Sequence, residues 1–187
     1  MLRIGSSDIG RVTFNQFSPS ELALTTGLGI DMQRVWRKRE HLPANSSTRA
    51  SFNTHEVLAI AVRYELSKLG VSPRFTEEAA ARSVPAVLAS ILLNCQQGVA
   101  IRGTVQQVAA ISAAMAQSAQ IAYQISQFDG NSRFLWSCSP PDFELILEIG
   151  QITDRAETVG HIMIDLEALG IRLAKRTPKP FVVIQPA

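Results

Sequence analysis

The sequence has few of the residues on which metal sites and disulfide frameworks depend. Its 187 residues include two cysteines, Cys95 and Cys138, which lie far apart and form no Cys-x-x-Cys pair. The three histidines, His41, His55 and His161, lie apart from one another and from both cysteines. These spacings argue against a zinc module and against a disulfide scaffold. We therefore expect no metal, no cofactor and a reducing, cytoplasmic location.

Charged residues and long apolar runs are also scarce. Charged residues make up 18% of the chain and hydrophobic residues 46%, a balance typical of a folded protein. No apolar run approaches the roughly 18 residues that a membrane span needs. The first residues, Met1-Leu2-Arg3-Ile4, lack the charged-then-apolar order of a signal peptide. We expect a soluble protein without a membrane partner.

The patterns of common catalytic and nucleotide-binding sites are missing as well. The sequence has no G-x-x-x-x-G-K-[ST], G-x-G-x-x-G, H-E-x-x-H or G-x-S-x-G run. Asp142, Glu144 and Glu148 have a spacing that places them on one face, and such a face is usually a solvated acidic surface. We expect the protein not to be an enzyme.

The charges that are present are distributed unevenly. Residues 1–75 hold ten Lys and Arg against six acids, whereas residues 76–187 hold eight against ten. A basic segment joined to a mildly acidic remainder favours a polyanionic partner for the N-terminal part.

That basic segment begins with a dense helix-start signal. Ser18-Pro19-Ser20-Glu21 predicts a capping box with proline at the first helical position, and Gly27 predicts the end of a short helix. A second helix is predicted from Ile30 to about Glu40. Its spacing divides the residues into an inner side of Met32, Val35, Trp36 and Arg39, and an outer side of Gln33, Arg34, Arg37 and Lys38.

This division predicts how the second helix functions. Trp36 would anchor the helix in the core and leave the outer side free. Arginine binds guanine and glutamine binds adenine in a bidentate manner, whereas lysine suits phosphates. A solvated basic surface is the alternative, but the capped helix and turn directly upstream favour DNA recognition. His41, beside this helix, is predicted to be structural or to contact a phosphate.

A flexible hairpin, or wing, is predicted after the second helix. Leu42-Pro43 ends that helix, and residues 44–51 are small and polar, with Arg49 placed to contact the DNA backbone. Asn53-Thr54-His55-Glu56 forms a second capping box and opens a helix that Gly70 closes.

The order of these elements resembles the MerR-type winged-helix DNA-binding family over roughly residues 12–72. The run Gln33-Arg34-x-Trp36-Arg37-Lys38-Arg39-x-x-Leu42-Pro43 is most similar to small MerR-like regulators of bacterial prophages. The resemblance implies a winged helix-turn-helix, with residues 30–40 in the major groove of double-stranded DNA and the 43–52 wing on the flank. It also implies a homodimer on a two-fold DNA site.

The remainder of the chain matches no family pattern and is predicted to be mixed α and β. A helix is expected from about Glu77 to Cys95, with Pro85 either breaking it or starting a new segment. Thr104–Phe128 carries no formal charge and predicts one long helix that buries much of its circumference, either in the core or in a dimer contact. Strands are predicted at 134–138 and 181–184, whereas periodicity leaves 143–152 as strand or helix. His161–Asp165 is predicted as strand or helix entry, with Asp165 capping a helix that extends to Arg176.

Taken together, the sequence predicts a mainly α fold with some β, divided into a DNA-binding domain (1–72) and a dimerisation, partner or effector domain (73–187). The favoured function is a sequence-specific transcription regulator, associated with the nucleoid, that works with RNA polymerase or a phage-type protein partner. Two alternatives remain open. One is a DNA-binding accessory protein of phage recombination or packaging, and the other is a ligand-sensing or interaction module.

Overall fold

The structure is a computed structural model that describes residues 10–42, 51–94, 96–153 and 160–186. Helices account for 56% and strands for 19% of this part of the chain, which confirms the predicted mainly α class with some β. The helices are α1 (Pro19–Thr26), α2 (Ile30–Lys38), α3 (Thr54–Lys68), α4 (Glu77–Asn94), α5 (Val105–Gln117), α6 (Gln120–Ser126), α7 (Gly150–Thr153) and α8 (Leu166–Arg176). The strands are β1 (Arg11–Phe14), β2 (Gln16–Phe17), β3 (Phe52–Asn53), β4 (Val99–Ile101), β5 (Phe134–Ser139), β6 (Asp142–Ile146), β7 (Ile162–Asp165) and β8 (Val182–Gln185).

Both predicted capping boxes are present. At α1, the Glu21 amide donates to Ser18 Oγ at 3.3 Å, and the Ser18 amide donates to the Glu21 carboxylate at 2.7 Å. Asn53 and Glu56 make the same reciprocal pair at the start of α3. Gly27 ends α1 in the left-handed conformation at a φ of 83°, which a residue with a side chain rarely adopts. A two-residue step then leads into α2, so α1 and α2 are joined by a tight turn.

Three small sheets organise the strands. The first has the order β1-β8-β4, with β1 antiparallel and β4 parallel to β8, so it joins the N-terminal strand to the C-terminal one. The second pairs β2 with β3, which flank α1 and α2 in the chain. The third is an antiparallel sheet of order β6-β5-β7, with β5 in the centre.

Several predictions for the C-terminal region are confirmed, and the open ones are resolved. The strands predicted at 134–138 and 181–184 are β5 and β8. The ambiguous 143–152 stretch is strand at its start, where β6 pairs with β5, and helix at its end, where α7 begins at Gly150. Asp165 accepts from the Ala168 amide at 2.9 Å and caps α8 as expected. Helix α4 continues through Pro85 as one segment.

The main hydrophobic core of the described residues includes side chains from Phe17 to Ile184, and Phe134, Trp136 and Ile146 form a second, smaller cluster. The centre of the main core is α4, which packs against α3, α6 and α8. Gly170 allows α8 to approach closely, since a Cβ atom there would lie 2.7 Å from the Val87 carbonyl oxygen. The predicted regions 1–72 and 73–187 therefore share a core, and their division into domains stays a prediction.

The uncharged stretch from Thr104 to Phe128 differs from the expectation. Instead of one long helix it forms α5 and α6, separated at Ser118, whose backbone is extended and whose hydroxyl accepts from the Gln120 amide at 3.1 Å. Helix α5 is also largely exposed: Ile111 is its one buried residue, and Val105 is 86% exposed. The prediction that this stretch buries much of its circumference within the chain is therefore wrong for α5.

Candidate nucleic-acid interface

Helix α2 is held against the protein on one side and is open to solvent on the other. Its buried residues are Gln33 and Trp36. We call the solvent-facing side the outward face of α2, and define it by the exposed residues Asp31, Met32, Arg34, Val35, Lys38 and Arg39; Ile30, at the start of the helix, is exposed as well. Arg39 is the C-cap residue and continues the same surface.

Trp36 faces the interior, as predicted, and its side chain is 4% exposed. The rings of Tyr64 and His41 meet it edge to face, with centroids 6.3 Å and 6.2 Å away. The Arg63 guanidinium lies 5.7 Å from the centre of its indole ring, within cation–π range. Burial of so large an aromatic surface fixes the rotation of α2 about its own axis.

Gln33 does not belong to the outward face, so its predicted contact with a base is wrong. Its side chain is 0% exposed, and its amide nitrogen donates to the main-chain carbonyls of Pro19 and Leu28, both at 2.9 Å. These bonds tie the first turn of α2 to the start of α1 and to the intervening turn. The amide nitrogen is therefore paired twice, whereas the buried amide oxygen has no hydrogen-bond donor among the described residues.

Met32 and Val35 also differ from the expectation. Both were predicted by helical spacing to lie on the inner side with Arg39, yet they are 46% and 41% exposed, and Arg39 is exposed as well. The actual rotation of α2 puts Gln33 and Trp36 inside, so Met32 and Val35 turn outward together with Arg34 and Lys38.

Arg34 and Lys38 lie on the outward face, where the sequence placed them. In the free protein the Arg34 guanidinium forms an ion pair with Asp31 at 2.9 Å. Both partners are well exposed, so the pair contributes little to stability and is easily exchanged for another anion. The outward face therefore presents cations that the fold itself does not require.

Arg37 sits at the border between the buried side and the outward face. Its Cζ atom lies 5.8 Å from the centre of the Phe52 ring in β3. Its Nε and Nη2 atoms are shielded from solvent, and neither has a hydrogen-bond acceptor among the residues that the structure describes. Because these two donors are shielded, an anion outside the chain cannot reach them, and the described contact of the guanidinium is with the Phe52 ring.

His41 packs on Trp36 and is partly buried. Burial lowers the pKa of His41 from its ordinary value, and the positive charges of Arg63, Arg39 and Arg74 lower it further. The imidazole is therefore uncharged near neutral pH and adds no positive charge to the interface. Of its two predicted roles, this geometry favours the structural one.

Arg49 and most of the predicted wing, residues 43–50, lie outside the described residues. What the structure describes of this region is the β2–β3 pair, with Phe17 opposite Phe52. The predicted contact of Arg49 with the DNA backbone stays a prediction.

Arg63 helps to hold Trp36 behind α2, a role that was not predicted from the sequence. It is one of the buried residues of α3, and its side chain donates to the Pro73 carbonyl at 3.1 Å. Burial lowers the pKa of the guanidinium, while the nearby Glu77 carboxylate acts in the opposite direction. The helical pattern alone predicts that this arginine is solvated. Its burial depends on the tertiary contact with Trp36, which the pattern does not show.

Comparison with protein-family models finds no match to this chain, and comparison with curated proteins finds no significant relative. The resemblance of residues 12–72 to the MerR type therefore rests on the spaced residues themselves. Among the described helices, none combines the length and the apolarity required to cross a bilayer.

Proposed function

We propose that the protein is a sequence-specific DNA-binding transcription regulator whose α2 helix enters the major groove of double-stranded DNA. Four cations, Arg34, Arg37, Lys38 and Arg39, follow one another along this short helix and its cap. A helix joined to a preceding helix by a tight turn is the arrangement with which helix-turn-helix proteins contact DNA.

The observation that carries the proposal is the separation of the two sides of α2. Trp36 and Gln33 hold the helix from behind, while Arg34, Lys38 and Arg39 project into solvent. A helix anchored in this way presents its cations at fixed positions, which favours recognition of a groove over diffuse attraction. Arg37 lies at the border of this face, with its guanidinium against the Phe52 ring.

The winged form and the homodimer belong to this proposal. The β2–β3 pair brackets α1 and α2 and forms the base from which a wing at 43–52 would extend. The exposed, uncharged surface of α5 supplies a contact area for a second copy. Two copies would place two α2 helices on half-sites about one helical turn apart.

The test begins with selection of duplexes from a randomised library by the full-length protein, followed by binding measured at increasing salt. If each of the four cations meets one phosphate, affinity should fall on the order of 100-fold per protomer between 50 and 200 mM salt. Recovered sites should also contain two related half-sites. Failure to enrich any sequence, or affinity that does not change with salt, would refute the proposal.

A second candidate function, ligand sensing, is favoured by a groove of about 460 Å³ where the end of α4 meets β4 and α5. The described residues that line it carry no charge: Leu92, Leu93, Asn94, Gln96, Val99, Ile101, Val108, Ser112, Met115 and Ala116. Such a groove suits a small neutral molecule. A specific thermal shift with such a compound, combined with no binding to any selected duplex, would favour this reading over DNA binding.

A further inference from the structure

The outward face of α2 carries two large apolar side chains between its cations. Met32 is 46% exposed and Val35 is 41% exposed. A single exposed apolar residue is ordinary on a protein surface. Residues three positions apart, however, lie on the same side of a helix, so Met32 and Val35 form one continuous apolar contact surface.

This apolar pair is surrounded by charge. Arg34 and Lys38 lie along one side of it and Arg39 lies at its C-terminal end, while Asp31 is the one acid of the outward face and is paired with Arg34. A hydrophobic protein partner would have to bury these cations unpaired at the contact, which is costly. DNA instead offers phosphates to the cations and an apolar group to the pair.

That apolar group is the 5-methyl of thymine, the distinct apolar feature of the major groove. We infer, on the basis of the DNA-binding function proposed above, that Met32 and Val35 are specificity-determining residues that contact thymine methyl groups. The cations position the helix on the backbone, and the apolar pair selects the bases.

The geometry of the helix also restricts where these thymines lie. Three residues advance a helix by about 4.5 Å along its axis. Successive base pairs are about 3.4 Å apart, so the two side chains reach base pairs that are neighbours or next neighbours. Each half-site should therefore contain two thymines within about two base steps of each other.

The experiment uses duplexes that the wild-type protein selects from a randomised library. Each thymine of a selected site is replaced in turn by deoxyuridine, which keeps the base pair and removes only the methyl group. At two positions per half-site the replacement should weaken wild-type binding about four-fold, the equivalent of about 0.8 kcal/mol for one buried methyl.

The same duplexes are then measured with a Met32→Ala/Val35→Ala protein. Because both side chains are exposed, the double variant should melt within a few degrees of wild type and keep its salt-dependent DNA binding. It should bind thymine and deoxyuridine duplexes equally. A Leu69→Ala/Leu147→Ala protein, which loses two exposed apolar residues elsewhere, should retain the four-fold preference.

The outcomes separate this inference from the proposed function. If no duplex is enriched, DNA binding itself is refuted and the inference falls with it. If duplexes are enriched but deoxyuridine has no effect, or if the Ala variant still prefers thymine, the inference alone is overturned. A change in oligomeric state of the Ala variant with the thymine preference intact would assign the pair to a contact between protein copies and would also overturn it.

Discussion

The side-chain amide of Gln33 donates to the main-chain carbonyl of Pro19 at 2.9 Å, linking the first turn of α2 to the first turn of α1. The same amide nitrogen donates to Leu28, within the turn that joins the helices. One polar residue thus fixes the relative position of the two helices on which the proposed interface depends. The residue is structural, although its chemistry is that of a base-reading side chain.

Replacement of Gln33 by Ala should therefore reduce stability rather than specificity. Two carbonyls would lose a donor in a buried site, which should lower the free energy of unfolding by about 1–3 kcal/mol. Denaturant unfolding would measure the loss, with the exposed Gln124→Ala as a control that should change little. A Gln33→Ala protein of unaltered stability but altered base preference would contradict this assignment.

Trp36→Ala should be among the most destabilising substitutions in the N-terminal part of the chain. Removal of this buried indole leaves a cavity beside Tyr64 and Arg63, and such changes cost about 3–5 kcal/mol. Trp36→Phe should recover a substantial part of that stability, because an aromatic ring would remain against the guanidinium. Thermal and denaturant unfolding of both variants test this; equal losses for Phe and Ala would show that the ring contacts do not matter.

Acid should weaken the fold through two histidines. Burial lowers the pKa of both His41 and His55 from the ordinary value of 6.5, so the unfolded chain binds protons more readily than the folded one. Stability should be fully retained above the unfolded pKa and should fall as pH drops through about 6.5 towards the lower folded pKa values. Below those values these two residues should cause no further loss.

A His41→Gln/His55→Gln protein tests this pH dependence. Its free energy of unfolding should vary less between about pH 7 and pH 5 than that of wild type, whatever its absolute stability. Unfolding midpoints across that interval give the two slopes. Identical slopes would mean that neither imidazole is responsible.

The exposed surface of α5 should mediate self-association. Ala109 and Ala113 lie one turn apart on this surface and are exposed in the single chain. Ala109→Lys/Ala113→Lys would place like charges opposite each other in a two-fold contact and should convert dimers to monomers in sedimentation experiments. Gln124→Lys/Gln127→Lys, at exposed positions of α6 and its C-cap, provides a control of equal charge that should stay dimeric. A wild-type protein that is monomeric at high concentration would contradict the proposed dimer.

Local signals in the sequence predicted local structure well. The capping boxes at Ser18 and Asn53, the end of α1 at Gly27 and the cap at Asp165 all follow from bonds within a few residues. The break at Ser118 was missed, although serine is a frequent capping residue and its hydroxyl does bond to the Gln120 amide.

Features that depend on distant partners could not be predicted in the same way. The β1–β8 pairing joins residues from opposite ends of the described chain, and no local sequence pattern near either strand predicts it. The rotation of α2 was misjudged because apolar Met32 and Val35 fit an inner face as well as Gln33 does. Only carbonyls from Pro19 and Leu28 make the buried amide favourable.

Removal of the cations from the outward face of α2 is the decisive test of whether this face binds DNA. Arg34→Ala/Lys38→Ala/Arg39→Ala protein should fold like wild type, because the three side chains are exposed. Arg11→Ala/Arg102→Ala/Lys175→Ala protein loses the same number of exposed cations elsewhere. Affinity for a selected duplex at fixed salt should fall at least 100-fold in the first protein and only a few-fold in the second. Equal affinities of the two proteins would show that the outward face of α2 does not bind DNA.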